Sequence, residues 1–197
     1  MSVIEHIRDL QRNRTQSDLN KKQKHEPEIM LIGCVDARLS PNEDIGIPQG
    51  KAIIKRNIAA LIAPFDDDRI GETAALEFAA DVMKVKDIVV MGHTDCGGIR
   101  ACLRENAKYK ALVRYLKPLE VARDKVKEEG GNIEAQATIM EQEAVRQSLA
   151  NLMTYPNVKK AVEEGRIKLH GWVIDTASKR ISELNQTTMK FELISSR

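Results

Sequence analysis

Apolar residues follow two different spacings along the chain. Short continuous apolar runs, such as Ile29-Met30-Leu31-Ile32 and Ile88-Val89-Val90-Met91, are typical of strands that are buried on both faces. Other segments repeat apolar residues at helical spacing, as between Glu72 and Lys84. The runs predict strands at about 28–33, 51–56, 87–91, 166–175 and 181–184. The helical spacing predicts helices at the N-terminus and at about 72–84, 97–104, 111–129, 133–153 and 158–164.

The alternation of strands and helices predicts the fold class. Strands that are separated by helices form βαβ units, so we expect an α/β fold with a mostly parallel sheet flanked by helices. A turn near Ala177 reverses the chain and predicts a C-terminal antiparallel strand. With 197 residues the chain is long enough for a full core, and we interpret residues 1–197 as a single domain.

The N-terminus carries its own amphipathic pattern. Four apolar residues share one face of an otherwise charged helix: Val3, Ile4, Ile7 and Leu10. A polar stretch follows them, so we expect residues 1–25 to form an N-terminal helical arm. The apolar face of this arm needs a surface, which either its own domain or a neighbouring subunit would provide.

Composition and charge exclude several classes of protein. The chain is 42% hydrophobic and 30% charged, which is typical of an ordinary soluble protein. Its 31 basic and 29 acidic residues are spread along the whole length, so there is no electrostatic basis for binding nucleic acid. No apolar run approaches the ~20 residues of a membrane-spanning helix, and the N-terminus lacks the apolar core of a secretory signal. An odd number of cysteines, three, indicates free thiols in a reducing compartment, and we expect a cytoplasmic protein.

Residues with metal-binding side chains follow the first and third predicted strands. Cys34, Asp36 and Arg38 come directly after the first strand, and His93 and Cys96 come after the third. Two thiolates and an imidazole suit tetrahedral Zn²⁺. One ion can bind all three ligands only if strands one and three are neighbours, which predicts the sheet order 2-1-3-4. The metal then lies where the strand order reverses, the usual position of a ligand site in an open α/β sheet.

The residue pattern leaves the role of this metal site open. Three protein ligands leave a fourth position for water, as in catalytic zinc sites. Asp36 could accept a hydrogen bond from that water or occupy the position itself, and Arg38 could hold the carboxylate bidentately and keep it ionised. A structural zinc site is the alternative, although such sites usually combine two short paired-ligand clusters in small domains. The third cysteine, Cys102, is predicted to be a buried core thiol. Asp95 is predicted to be a loop residue, and it could hydrogen-bond the surroundings of the metal.

The pair of motifs Cys34-x-Asp36-x-Arg38 and His93-x-x-Cys96 resembles the zinc signature of the β-class carbonic anhydrases. The similarity runs from about Pro27 to Cys102 and returns at Gly171 to Asp175. It implies reversible, zinc-dependent hydration of CO₂ to bicarbonate and a proton, with one Zn²⁺ per subunit held by the two cysteines and the histidine. In this family Asp36 would orient the zinc-bound hydroxide and Arg38 would hold Asp36. The resemblance also implies a homodimer or a dimer-based higher oligomer, in which the N-terminal helix embraces the neighbour.

The resemblance further implies a pocket for CO₂ and bicarbonate. Its positions in this sequence are His25, Ile53, Ile58, Phe78 and Gly97. His25 stands where the family often has Gln, so it could hydrogen-bond bicarbonate or shuttle protons, and a surface linker histidine is the alternative. Ile53, Ile58 and Phe78 would form an apolar wall suited to CO₂, but each is also an ordinary core residue by type.

The same resemblance leaves two other functions open and bears on one regulatory property. Relatives of this fold hydrolyse carbonyl sulfide or carbon disulfide, and a catalytically idle zinc scaffold is a further alternative. Loss of Asp36 or Arg38 would mark the scaffold, and both residues are present. Some family members are switched off by bicarbonate through a Trp and a Tyr at positions where this chain has Leu31 and Ile174. We therefore expect the non-switching type, with Asp36 paired to Arg38.

Overall fold

The computed structural model describes residues 2–15, 24–105 and 108–194, and within them six strands form one sheet. The strands are β1 (Ile29–Cys34), β2 (Ala52–Asn57), β3 (Asp87–His93), β4 (Lys168–Ile174), β5 (Ile181–Leu184) and β6 (Phe191–Leu193). Their order is β2-β1-β3-β4-β5-β6; the first four are parallel, and β5 and β6 are antiparallel to their neighbours. The predicted order 2-1-3-4 with a C-terminal antiparallel strand is confirmed, and β6 is an additional strand.

Eight α-helices lie within the described residues. They are α1 (Val3–Arg12), α2 (Pro41–Asp44), α3 (Ile70–Glu77), α4 (Gly97–Arg104), α5 (Lys110–Leu116), α6 (Glu120–Glu129), α7 (Ile133–Leu152) and α8 (Pro156–Glu163). The prediction of one helix over 111–129 is wrong, because a 3₁₀ turn at Lys117–Leu119 separates α5 from α6. Pro118 lies in this turn and cannot donate the hydrogen bond that a continuous α-helix requires there. The predicted helix at 72–84 ends instead in a π-helical turn, Phe78–Val82.

Side chains from both faces of the sheet are buried, which explains the continuous apolar runs. One cluster, the metal-side cluster, includes Leu31, Val89, Met91, Cys34 and Cys96. The other, the far-side cluster, includes Met30, Ile32, Ile88 and Val90. Successive residues over 30–32 of β1 and 88–91 of β3 thus enter different clusters, as the two-residue period of a strand requires. The third thiol, Cys102, is buried in the metal-side cluster as predicted.

Helix α7 packs closely on the two central strands. A Cβ atom placed on Gly92 of β3 would lie 2.8 Å from Val145, and one on Gly171 of β4 would lie 2.9 Å from the same side chain. Real Cβ atoms do not approach other atoms so closely, so glycine is required at both positions for this packing. The close contact brings residues of α7 near the ends of β3 and β4.

Helix α1 is amphipathic, as predicted, but its apolar side chains have no partner within the described residues. No residue of α1 is buried, and its apolar residues are all exposed: Val3, Ile4, Ile7 and Leu10. Ser2 caps the helix by accepting a hydrogen bond from the amide of Glu5. Residues 1 and 16–23 of the predicted arm lie outside the described residues. Among the helices that are described, none is long and apolar enough to cross a membrane.

Candidate metal centre

The ends of two adjacent parallel strands bring the three predicted ligands together. Cys34 is the last residue of β1, His93 is the last residue of β3, and Cys96 immediately precedes α4. The ligand atoms of the three side chains all lie within 4.8 Å of one another, and all three residues are buried. The strand register makes this possible, because β1 and β3 pair directly from Ile29 onwards. We call this arrangement the Cys-His-Cys group.

The imidazole of His93 is oriented as a metal ligand would be. Its Nδ1 lies 2.9 Å from the carbonyl oxygen of Thr94, to which it donates a hydrogen bond. In the neutral imidazole Nε2 is then the unprotonated nitrogen; it is buried and has no hydrogen-bond partner among the described residues. A buried polar atom without a partner costs about 1–3 kcal/mol. A metal ion bound to Nε2 would remove this cost, and a backbone carbonyl on the other nitrogen is the usual support of a metal-binding histidine.

The two thiols together favour one negative charge, on Cys34. Cys34 Sγ and Cys96 Sγ lie 3.9 Å apart and share a hydrogen bond. This hydrogen bond from Cys96, assisted by His93, lowers the pKa of Cys34, whereas the neighbouring Cys34 raises the pKa of Cys96. A thiolate is the form that binds metal. With two sulfur ligands and one imidazole nitrogen, the donor set fits Zn²⁺.

A carboxylate held by an arginine lies beside the group. Arg38 donates hydrogen bonds from Nε to Asp36 Oδ1 at 2.9 Å and from Nη2 to Asp36 Oδ2 at 2.8 Å. The Arg38 hydrogen bonds hold the pKa of Asp36 well below its usual range, so the carboxylate is ionised. Its Oδ2 lies 3.9 Å from His93 Nε2, which places it next to the metal-capable atoms. The bidentate pair between Asp36 and Arg38 is therefore present, as predicted.

A second arginine holds the backbone at the end of β1. Arg56, on the neighbouring strand β2, donates from Nε to the carbonyl of Cys34 at 2.8 Å and from Nη2 to the carbonyl of Asp36 at 2.6 Å. Arg56 thus fixes the path of the chain between a metal-capable thiol and the carboxylate.

The loop between β3 and α4 is held by residues that the sequence analysis did not identify. Glu141 of α7 is 5% exposed and accepts a hydrogen bond of 3.0 Å from the backbone amide of Cys96. Burial raises the pKa of this carboxyl group. Thr94 donates from its hydroxyl to Asp175 at 3.1 Å and accepts from the amide of Thr176 at 3.0 Å. The sequence contains one signal for Glu141. This acidic residue lies at helical spacing from the apolar residues that form the buried face of α7.

The structure brings only part of the predicted pocket to the Cys-His-Cys group. Ile58 contacts the start of α4, since a Cβ on Gly98 would lie 2.7 Å from its Cγ2, and Gly97 directly follows Cys96. Ile53 instead packs against the far-side cluster and pairs with Met30, four residues before Cys34, or about 13 Å along the strand. The remaining two pocket candidates are exposed: Phe78, in the π-helical turn, and His25.

The fold and the site together define a class of protein: an open α/β sheet with a metal-capable centre beyond the ends of two adjacent parallel strands. The family model described as carbonic anhydrase matches residues 29–181, which is most of the chain. The chain belongs to the carbonic anhydrase family, and its relatives are of the β class.

Three similar proteins illustrate how far this relationship extends. "Beta carbonic anhydrase 6, mitochondrial" of Arabidopsis thaliana is 32% identical over 151 residues, covering 74% of this chain; the chain spans only 52% of that protein's length. The structure of the β-carbonic anhydrase CcaA has a TM-score of 0.87 and 26% identity, covering 99% of this chain and 92% of that one. A tetrameric β-carbonic anhydrase of Sordaria macrospora has a TM-score of 0.71 and 27% identity, covering 92% and 91%.

Proposed function

We propose that this protein catalyses the zinc-dependent, reversible hydration of CO₂ to bicarbonate and a proton. The observation that carries the proposal is the buried Cys-His-Cys group, whose histidine Nε2 has no partner among the described residues and lies beside an ionised, arginine-bound carboxylate. Membership of the carbonic anhydrase family supports the same activity. The alternatives are hydrolysis of carbonyl sulfide or carbon disulfide at the same site, and an inactive zinc scaffold.

The ligand residues would hold one Zn²⁺ per subunit. Cys34 and Cys96 would bind it as thiolates and His93 through Nε2, which leaves one coordination position for water. Zinc, when bound, supplies a Lewis acid that lowers the pKa of water towards the physiological range. Burial of all three ligands lowers the local dielectric and strengthens the electrostatic interactions within the group.

Asp36 and Arg38 would orient the reacting water. An ionised carboxylate only accepts hydrogen bonds, so Asp36 would take one from the attacking oxygen and direct the lone pair of that oxygen towards CO₂. Arg38 occupies both carboxylate oxygens from one side and so fixes the plane of the carboxylate. The hydrogen bonds from Arg38 also hold the pKa of Asp36 well below its usual range, so that the ionised acceptor is available throughout the neutral pH range.

We also propose that the chain is a single domain that forms a homodimer or a dimer-based higher oligomer. Ile53 packs against the far-side cluster and Phe78 is exposed, so both would line a substrate pocket only together with a neighbouring subunit. The exposed apolar face of α1 would pack on that neighbour as an arm over residues 1–25. A relative of the same family is tetrameric. Sedimentation analysis of the wild type and of Ile7→Ser would test this assembly, which predicts weaker association in the variant.

The proposal extends to the partners of the protein and to its location in the cell. The substrates would be CO₂ and bicarbonate, with no nucleic acid or membrane partner, since the charges are dispersed along the chain. The three cysteines are free thiols, which supports a cytoplasmic location. His25 is exposed at the end of the proposed arm, where it would reach a pocket only through contact with another subunit.

The test is stopped-flow CO₂ hydration by zinc-quantified wild type and Asp36→Ala between about pH 6 and 9. We expect fast, zinc-dependent turnover in the wild type and a loss of about 100-fold or more in the variant, in the range of a lost acid–base or orienting group. Stoichiometric zinc without CO₂ turnover would contradict the proposal. Hydrolysis of carbonyl sulfide or carbon disulfide would then identify the sulfur-gas enzyme, and inactivity towards all three gases would identify the scaffold.

A further inference from the structure

The guanidinium of Arg38 has two acidic partners. Besides the two bonds to Asp36, it donates from Nη1 to Asp95 Oδ2 at 2.9 Å and from Nη2 to the carbonyl oxygen of Asp95 at 2.9 Å. Its side chain is 47% exposed, and an exposed arginine with one partner gains little from its ion pair after losing side-chain entropy. Four bonds to two residues fix both edges of the planar group. The position of Asp36 thus depends on a contact between the two strand ends.

Asp95 is itself held in place by its backbone conformation and by a second arginine. Its φ of 57° lies in the left-handed region, which Asp and Asn adopt more readily than other residues with a side chain. Arg100 of α4 donates from Nε to Asp95 Oδ1 at 3.0 Å and from Nη1 to Glu134 of α7 at 3.3 Å. The two carboxylate oxygens of Asp95 are therefore divided between two arginines from different elements.

We infer that Asp95 is a positioning residue, which acts through Arg38 to hold Asp36 in its orientation beside the Cys-His-Cys group. Without the Asp95 carboxylate, Arg38 retains Asp36 as its only side-chain partner among the described residues, together with one bond to the backbone carbonyl of Asp95. The Asp36–Arg38 pair can then turn together about the β1 end. Asp36 would then lose its fixed direction while remaining ionised and bonded to Arg38. This inference rests on the proposed function, because it assigns Asp95 to the orientation of the reacting water.

The variant that tests the inference is Asp95→Asn. Asparagine also tolerates the left-handed conformation, so the loop can keep its backbone. Its single side-chain oxygen can serve only one of the two arginines, and the charge is lost. Asp124→Asn is the matched control, since Asp124 is 59% exposed against 54% for Asp95 and also pairs with an arginine, Arg123, on a helix that contributes no ligand.

We expect Asp95→Asn to lower kcat by about tenfold with little change in KM, the low end of the 10–100-fold effect of partners of site residues. Zinc content and melting temperature should match those of the wild type, and Asp124→Asn should leave kcat unchanged. Wild-type kcat in Asp95→Asn would overturn the inference. A loss of activity that is only proportional to a loss of zinc or of folded protein would also overturn it.

A second readout does not depend on catalysis. Cobalt-substituted protein reports the surroundings of the metal in its visible absorption, and Asp95→Asn should change this spectrum if Asp36 has lost its fixed orientation. When Asp36→Asn is already present, adding Asp95→Asn should not change the spectrum further. A residue that acts through Asp36 has no effect once Asp36 has been replaced. Equal spectral changes in both backgrounds would contradict the inference. If the wild type failed to hydrate CO₂, the proposed function would be wrong. The spectra of the two single variants and the double variant would still measure the coupling between Asp95 and Asp36.

Discussion

The two strand ends that carry the Cys-His-Cys group are built differently. At the end of β1, Asp36 is held by Arg38, which is only two residues further along and is about half exposed. At the end of β3, the amide of Cys96 is held by Glu141, which is 45 residues further along and almost fully buried. The first arrangement is local and charged. The second exists only when α7 has packed against the sheet.

This difference separates the chemistry of the site from its construction. The β1 end sets the charge and orientation of a carboxylate, so changes there should alter the rate while the fold and the metal are retained. At the β3 end Glu141 holds the backbone at Cys96, so loss of this contact should alter metal affinity and stability first. Asp95 of the same loop is the exception, because it contacts Arg38 and so acts on the β1 end. Three sets of substitutions test this comparison, in order of decreasing effect.

The largest effect is expected at the ligands themselves, where the two ends should behave alike. Cys34→Ser and Cys96→Ser each replace a thiolate by a poor zinc ligand. Each variant should bind zinc at least ~100-fold more weakly, because a lost partner of a ligand already costs about 10–100-fold. Competition with a chelator measures this affinity. Cys102→Ala is the matched control, since it removes the third buried thiol, outside the group, and should keep wild-type affinity.

An intermediate effect is expected for Glu141→Ala, which tests the β3 end alone. The substitution leaves the buried amide of Cys96 without its acceptor and opens a cavity beneath the loop. We expect a loss of about 3 kcal/mol in the free energy of unfolding. For a chain of this size that lowers the melting temperature by roughly 6–12 °C. Zinc affinity should fall by about 10–100-fold.

Glu141→Gln separates the hydrogen bond from the charge. Its amide oxygen can still accept from Cys96, so most of the stability and zinc affinity should return. If Glu141→Gln were as damaging as Glu141→Ala, the negative charge rather than the hydrogen bond would be the essential feature, and the β3 end would resemble the β1 end after all.

The smallest effect is expected for Thr94→Val, which keeps the shape of the side chain and removes its hydroxyl. The amide of Thr176 loses its acceptor and Asp175 loses a donor. We expect a cost of about 1–2 kcal/mol and a melting temperature lower by roughly 2–8 °C, measured by calorimetry. Zinc content should be unchanged. Complete loss of zinc in this variant would show that the β3 end has no tolerance for small changes.

The sequence was sufficient to predict the sheet order and the metal-capable group for a specific reason. Carboxyl ends of parallel strands meet at one edge of a sheet, so Cys34 and His93 could be placed together from strand positions alone. The pair between Asp36 and Arg38 was predictable because the two residues are close in sequence. The break at Pro118 was also visible in the sequence, and the prediction of one helix there gave too much weight to the apolar spacing.

The remaining features depend on contacts between distant segments. Glu141 is one of 29 acidic residues, and only the packing of α7 over Gly92 and Gly171 places it under the ligand loop. Asp95 was predicted to be a loop residue that could hydrogen-bond the surroundings of the metal, but its two arginine partners come from separate elements. Strand β6 has three residues, Phe191–Leu193, and is too short for an alternating pattern to be recognised.

The contact between Glu141 and Cys96 also has a consequence for synthesis on the ribosome. Both cysteine ligands emerge before α7, and 45 further residues separate Cys96 from Glu141. At about 5–20 residues per second, the nascent chain carries the Cys96 thiol without its final burial for roughly 2–9 s, and the Cys34 thiol for longer. Throughout that interval oxidants can reach both sulfurs. Both thiols are therefore open to oxidation before α7 has been made and has buried them.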